Sequence, residues 1–179
     1  RPHSNRGKAF LVLCVAADLF YFGYTYNAAA DPRLLEFTPP SVRTLQADQG
    51  VFRVASYNLD DNLTPNTAML SGIQDARGYD SIILRQYADF WRLLEEPHGL
   101  LYNRIHKLTR PESLQSPLLD LMNVKYVLTT RPLDLPDREG HLRETYRGEI
   151  LIYENTDYLP RAFVLGQAQA AGSREDALA

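Results

Sequence analysis

Between Tyr57 and Tyr87 the chain gathers Asn58, Asp60, Asp61, Asn66, Asp75, Arg77, Asp80 and Arg85, with Tyr79 among them. Planar amides, carboxylates and guanidinium groups give directed hydrogen bonds, and tyrosine rings beside them give an apolar platform. That combination suits the hydroxyls and faces of sugars. Asp75, Arg77 and Asp80 also supply charged donors and acceptors of the kind that position a sugar or a phosphate. The same composition serves a plain loop, in which Asx side chains turn the backbone and the tyrosines pack inward. On the residues alone the plain loop is the better reading.

Other chemistries find little support. His3, His98, His106 and His141 do not pair at the i, i+4 spacing of zinc-binding helices, and each reads as a surface or loop residue. A calcium loop started at Asp60 would need Gly and Glu where Pro65 and Ser71 stand; started at Asp61 it meets Asn66 and Gly72. Gly72 and Gly78 form no phosphate-loop or dinucleotide pattern, and no serine sits in a nucleophile elbow. "NLT" at 62–64 is a glycosylation sequon followed by Pro65. Cys14 is the single cysteine, so an internal disulfide or a cysteine-based metal site is excluded. The formal net charge of −3 offers no basic field for nucleic acid. The residues call for no catalytic group, metal or cofactor in this chain.

The elements that must carry the polar stretch follow from patterning. With 179 residues, 45% hydrophobic and 23% charged, the chain can build an ordinary core. It opens on "KAFLVLCVAADLFYFGYTYN", residues 8–27, with Asp18 as the one charge from Ala9 to Tyr24. Arg1, Arg6 and Lys8 precede this run and Tyr21, Tyr24 and Tyr26 close it, the pattern of a membrane span with its basic end in the cytoplasm. A soluble core helix and a signal peptide ending at "AAA" are the other two readings. Beyond it, Thr38 is expected to cap a short helix that Gly50 ends, and "VFRVAS" (51–56) reads as a strand. Ile83, Tyr87, Phe90, Trp91 and Leu94 fall on one helical face, with Asp80 or Ser81 as the expected cap and Trp91 in the core. Ser116 and Pro117 start a helix, "VKYVLTT" follows as a strand, and "HLRETYRGEILIYEN" reads as a hairpin turning at Arg147 and Gly148. "AFVLG" (162–166) is a further expected strand, and Ser173 caps a last helix. Together these predict an α+β fold: a mixed β-sheet with helices flanking it on one face, preceded by an N-terminal apolar helix of membrane-spanning type. Residues 1–27 form the basic flank and helix; residues 28–179 form the α+β domain.

Four blocks resemble the YfhO family of bacterial multi-spanning membrane proteins. They are "ADLFYFGYTYNAAADPRLLEFTPPSVRTLQ", "FRVASYN…LTPNTAMLSGIQDARGYDSIILRQYADF", "SPLLDLMNVKYVLTT" and "ILIYENTDYLPRAFVLG", in order from about residue 10 to residue 170. The resemblance implies a glycosyltransferase of the GT-C type that uses a lipid-linked sugar to glycosylate the cell envelope. In that architecture the catalytic acid sits in an early loop near other membrane helices, so this stretch would be a non-catalytic extracytoplasmic domain at the bacterial cell membrane. Its implied partners are the membrane core of the same polypeptide and a lipid-linked sugar or envelope polymer. Asn66, Gly72, Asp75, Gly78, Tyr79, Asp80, Ser81 and Tyr87 match the central motif. Asn123, Lys125, Tyr126, Tyr153, Asn155, Pro160 and Arg161 match the later ones, and the resemblance implies no role for any single residue. The substrate-cleft candidates are Asn66, Asp75, Arg77, Tyr79, Asp80 and Tyr87. Gly78 is expected to permit a left-handed turn, and Asn155 to turn the chain after a strand. A membrane-anchored carbohydrate- or envelope-binding module and a soluble structural domain remain as alternatives.

Overall fold

In the computed structural model, residues 5–26, 30–58, 66–95, 104–134, 140–167, 169–173 and 176 are described. The chain divides into two units, Arg1–Phe37 and Thr38–Ala179.

The first unit holds α1, Asn5–Tyr26, and a short 3₁₀ turn, Pro32–Leu35, capped by the Asp31 carboxylate on the Arg33 N–H. Leucine, valine and aromatic side chains run all around α1, and Phe10, Leu13, Phe20, Tyr21 and Tyr24 are all exposed. A soluble core helix buries one stripe; α1 buries none among its described side chains. It is long and apolar enough to cross a membrane, which fits an anchor or a signal sequence.

The second unit is built on a four-stranded sheet of order β1-β4-β6-β5, from β1 (Arg53–Ser56), β4 (Val124–Thr129), β5 (Leu142–Arg147) and β6 (Leu151–Asn155). β1 runs parallel to β4, while β4–β6 and β6–β5 are antiparallel. The fold is thus α+β with a mixed sheet. The period-2 alternation of strands sends Ala55, Val127, Leu151 and Tyr153 to one face and Val54, Leu128 and Ile152 to the other. On the first face pack α3 (Arg85–Leu94), α4 (Pro111–Gln115) and α5 (Pro117–Leu121), through Trp91, Leu94, Leu114 and Leu119. On the second lie α2 (Pro40–Ala47), through Leu45, and the 3₁₀ turn Thr67–Ser71, through Ala68. Helices therefore cover both faces rather than one. A small second sheet pairs β2 (Gly78–Tyr79) with β3 (Arg104–Ile105).

Local chemistry explains several element ends. Ser116 Oγ accepts from the Leu118 N–H with Pro117 at the first helical position, as its sequence predicts. The hairpin turns over Gly148–Ile150; a Cβ on Gly148 would sit 2.2 Å from the Tyr146 hydroxyl, so only glycine fits without moving that ring. Ser173 Oγ accepts from the Asp176 N–H, while the helix expected to follow it falls largely outside the described residues.

Other expectations are corrected. Thr38 does not cap α2: Pro39 occupies the cap position, and the helix ends at Ala47, with Asp48 accepting from the Gly50 N–H. Leu84 precedes α3; Asp80 instead accepts from the Ile82 N–H in an Asx turn, so neither Asp80 nor Ser81 caps it. Gly78 lies in β2, and the left-handed glycine of this segment is Gly72, at φ 70°. Residues 162–166 form no strand, and Val164 is 96% exposed. An apolar run becomes a strand only where it pairs with another, and residues 162–166 pair with none of the four strands β1-β4-β6-β5. His141 is buried, with Nε2 3.0 Å from the Leu114 carbonyl, because the turn entering β5 is covered by α4.

Candidate functional site

The polar stretch after β1 is held from inside by its own polar groups. Asn66 adopts φ 76°, a left-handed conformation that asparagine tolerates, and grips Tyr79. Its amide donates to the Tyr79 carbonyl at 2.6 Å and its Oδ1 accepts from the Tyr79 N–H at 3.2 Å. Asp75 and Arg77 form a forked ion pair with both side chains 4% exposed. The Tyr87 hydroxyl donates to the Ala76 carbonyl, and burial pushes it up to about 12. Asp80 is exposed and occupied with the 80–82 turn. Tyr79 is the half-exposed ring of the group, with the Arg104 guanidinium 5.1 Å from its centroid. One face of that ring is therefore covered by a cation. Asn58 is described, at φ 47°, whereas Asp60, Asp61, Pro65, the 62–64 sequon, His3 and His98 lie outside the described residues.

The segment does border a cavity, through other residues. Thr67, Ala68, Ser71 and Ile73 wall a cavity of ≈ 280 Å³ whose floor includes Leu45, Val54 and Leu128. None of the six candidates lines it. Its rim carries Glu149, whose carboxylate accepts from the Ser41 N–H at 2.9 Å and from the Tyr146 hydroxyl. Burial raises the Glu149 carboxyl, but these hydrogen bonds prevail and hold it at about 2. It is an anion near neutral pH, an acceptor rather than an acid. The cavity can house a small apolar group with a donor at its edge.

A third feature surrounds Lys125 on β4. Its ammonium lies 2.5 Å from Asp48 Oδ2 and 3.9 Å from Glu154, beneath the rings of Phe52, Tyr126 and Tyr158 at 5.9, 5.3 and 5.4 Å. Burial lowers its pKa, and the Asp48 hydrogen bond together with the charges of Tyr126, Asp48 and Tyr158 outweighs this and raises it. Lys125 thus stays protonated and cannot serve as a nucleophile or base. The cage is filled by the chain's own cation, tying β4 to the end of α2.

Of the later motif residues, Asn155 ends β6 as expected, with Oδ1 accepting from the Asp157 N–H. It is also fully buried and donates to Asp120 Oδ1 at 2.7 Å and the Val124 carbonyl at 3.0 Å. Sequence reasoning passed over Glu95, 3% exposed, which accepts from Thr109 Oγ1 at 2.7 Å and Ser113 Oγ at 2.9 Å and joins α3 to α4. A lone Glu at a helix end gives no signal of such a role. Among the described residues no group of three His, Cys, Asp or Glu side chains could hold a metal ion.

No family model, curated protein or solved structure matches this chain.

Proposed function

We propose that residues 28–179 are the extracytoplasmic accessory domain of a YfhO-like membrane glycosyltransferase, which moves a sugar from a lipid carrier to a cell-envelope polymer. The domain does not catalyse the transfer itself. The observation that carries this reading is α1, an apolar helix with every large side chain exposed, at the head of an α+β unit. The basic flank supports, by the positive-inside rule, an orientation with the α+β unit outside. Support also comes from where the resembling blocks fall. "NVKYVLT" is the turn into β4 and β4 itself, and "YEN" with "LPRAF" is the end of β6 and the loop that follows.

The test is sugar transfer in membranes that carry the intact reading frame. Residues 1–179 alone should give none, and Tyr79→Ala should lower transfer by the intact protein at unchanged abundance. Transfer by residues 1–179, or full transfer by Tyr79→Ala, contradicts the reading. A membrane-anchored binding module is favoured by the same helix. The two part on the upstream reading frame, which should encode further apolar segments of about 20 residues each only for the enzyme.

A further inference from the structure

Two arginines far apart in sequence are fixed on one buried asparagine. Asn123 is 1% exposed and left-handed at φ 61°, and its amide donates to the Leu159 carbonyl at 2.9 Å. Its backbone carbonyl accepts from the Arg53 N–H at 2.9 Å, and its side-chain Oδ1 accepts from Arg161 Nε at 3.0 Å. Arg53 Nη1 donates to the neighbouring Met122 carbonyl at 2.9 Å. Arg161 Nη2 donates to Gln74 Oε1 at 2.6 Å, and Gln74 is itself pinned beside β1 by its carbonyl, which accepts from the Val54 N–H.

Every acceptor these guanidinium groups use among the described residues is neutral. Neither arginine has a carboxylate partner among the described residues, and Asp75, next to Gln74, is already engaged by Arg77. Burial lowers the Arg161 pKa, and the positive charge of Arg53 lowers it further, so the exposed Arg161 guanidinium feels the repulsion of Arg53. Arg53 Nε and Nη2, Arg161 Nη1 and Gln74 Nε2 make no hydrogen bond among the described residues. These are donors only, on side chains whose orientation is fixed by their other bonds.

We propose that Arg53, Arg161 and Gln74 form a binding site for a phosphate-class oxyanion. Guanidinium forks match phosphate geometry through paired charge-assisted bonds. An anion between two cations replaces their repulsion with two attractions. Because the orienting bonds are in place beforehand, binding orders little. The site stands on these donors alone, whatever the fate of the glycosyltransferase reading.

The test uses the whole 179-residue chain in neutral detergent, titrated with inorganic pyrophosphate and, separately, with phosphatidic acid against phosphatidylcholine in the micelle. Saturable binding of pyrophosphate alone marks a soluble phosphate as the ligand; preference for phosphatidic acid marks a lipid headgroup; either supports the site. Arg161→Gln and Arg53→Gln should each weaken binding about tenfold or more, and Arg143→Gln on the β5 edge should not. In the unmodified chain, bound ligand should protect Arg161 from phenylglyoxal, read by mass spectrometry, which needs no variant to fold. Absence of saturable binding with both probes overturns the proposal. So does binding that survives both substitutions without protection of Arg161.

Discussion

Arg77 grips Asp75 from two positions along the chain. Nη2 stands 2.7 Å from one carboxylate oxygen and Nε 3.1 Å from the other, with both side chains 4% exposed. Such a pair is costly to leave half-made, since the remaining charge stays buried.

Arg77→Ala should therefore destabilise the folded unit by about 3–5 kcal/mol. Asp75→Ala should behave alike, so any loss of function in cells should track protein abundance. Urea melts of the detergent-solubilised chain check this. A loss below about 1 kcal/mol would show that the pair is open to water.

Trp91 is 1% exposed at the centre of the α3 face, and its indole N–H has no hydrogen-bond partner among the described residues. Trp91→Ala should cost about 3–5 kcal/mol. Trp91→Phe should recover more than half of that, because no hydrogen bond is lost. Equal losses in the two variants would reveal a partner for the N–H.

The Asp48 hydrogen bond to Lys125 holds the Asp48 carboxyl below its ordinary 3.8, against burial and with help from the Gly50 N–H and the Tyr126 hydroxyl. A depressed folded value means that the stabilisation is complete above the ordinary value and fades as pH falls through the folded one. The melting temperature of the native chain should exceed that of Asp48→Asn at neutral pH, and the gap should close below about pH 4. A gap unchanged from neutral pH to about pH 2 would contradict the ion pair.

The chain divides after Phe37. A protein starting at Thr38 should keep the native circular dichroism and cooperative melting of the sheet, and need no detergent. Loss of cooperative melting would make α1 part of the folding unit.

Local rules carried the sequence far where the decisive physics is local. The Ser116–Pro117 helix start, β4 and the β5–β6 hairpin were legible because cap, alternation and turn residues act within a few positions. The 162–166 run misled because strand propensity says nothing about whether a sheet edge is open. Asp80 was expected at a helix cap but spends its carboxylate two residues on, and both choices fit the same sequence. The polar stretch was recognisable, yet not that Asn66 would bind Tyr79 or Asp75 bind Arg77. Convergence of Arg53 and Arg161 on Asn123 depends on the β1–β4 pairing and on the loop after β6, which no spacing discloses.

The proposed extracytoplasmic placement of residues 28–179 is tested most directly by cysteine labelling in intact cells. Cys14, exposed on α1, is the one cysteine, so Cys14→Ser clears the background and Glu112→Cys, with a 70% exposed side chain, introduces a probe on the domain. A membrane-impermeant maleimide should label Glu112→Cys in unbroken cells, while a cysteine replacing Lys8 should be labelled only after lysis. Labelling of Glu112→Cys only after lysis would place the domain in the cytoplasm and contradict the reading.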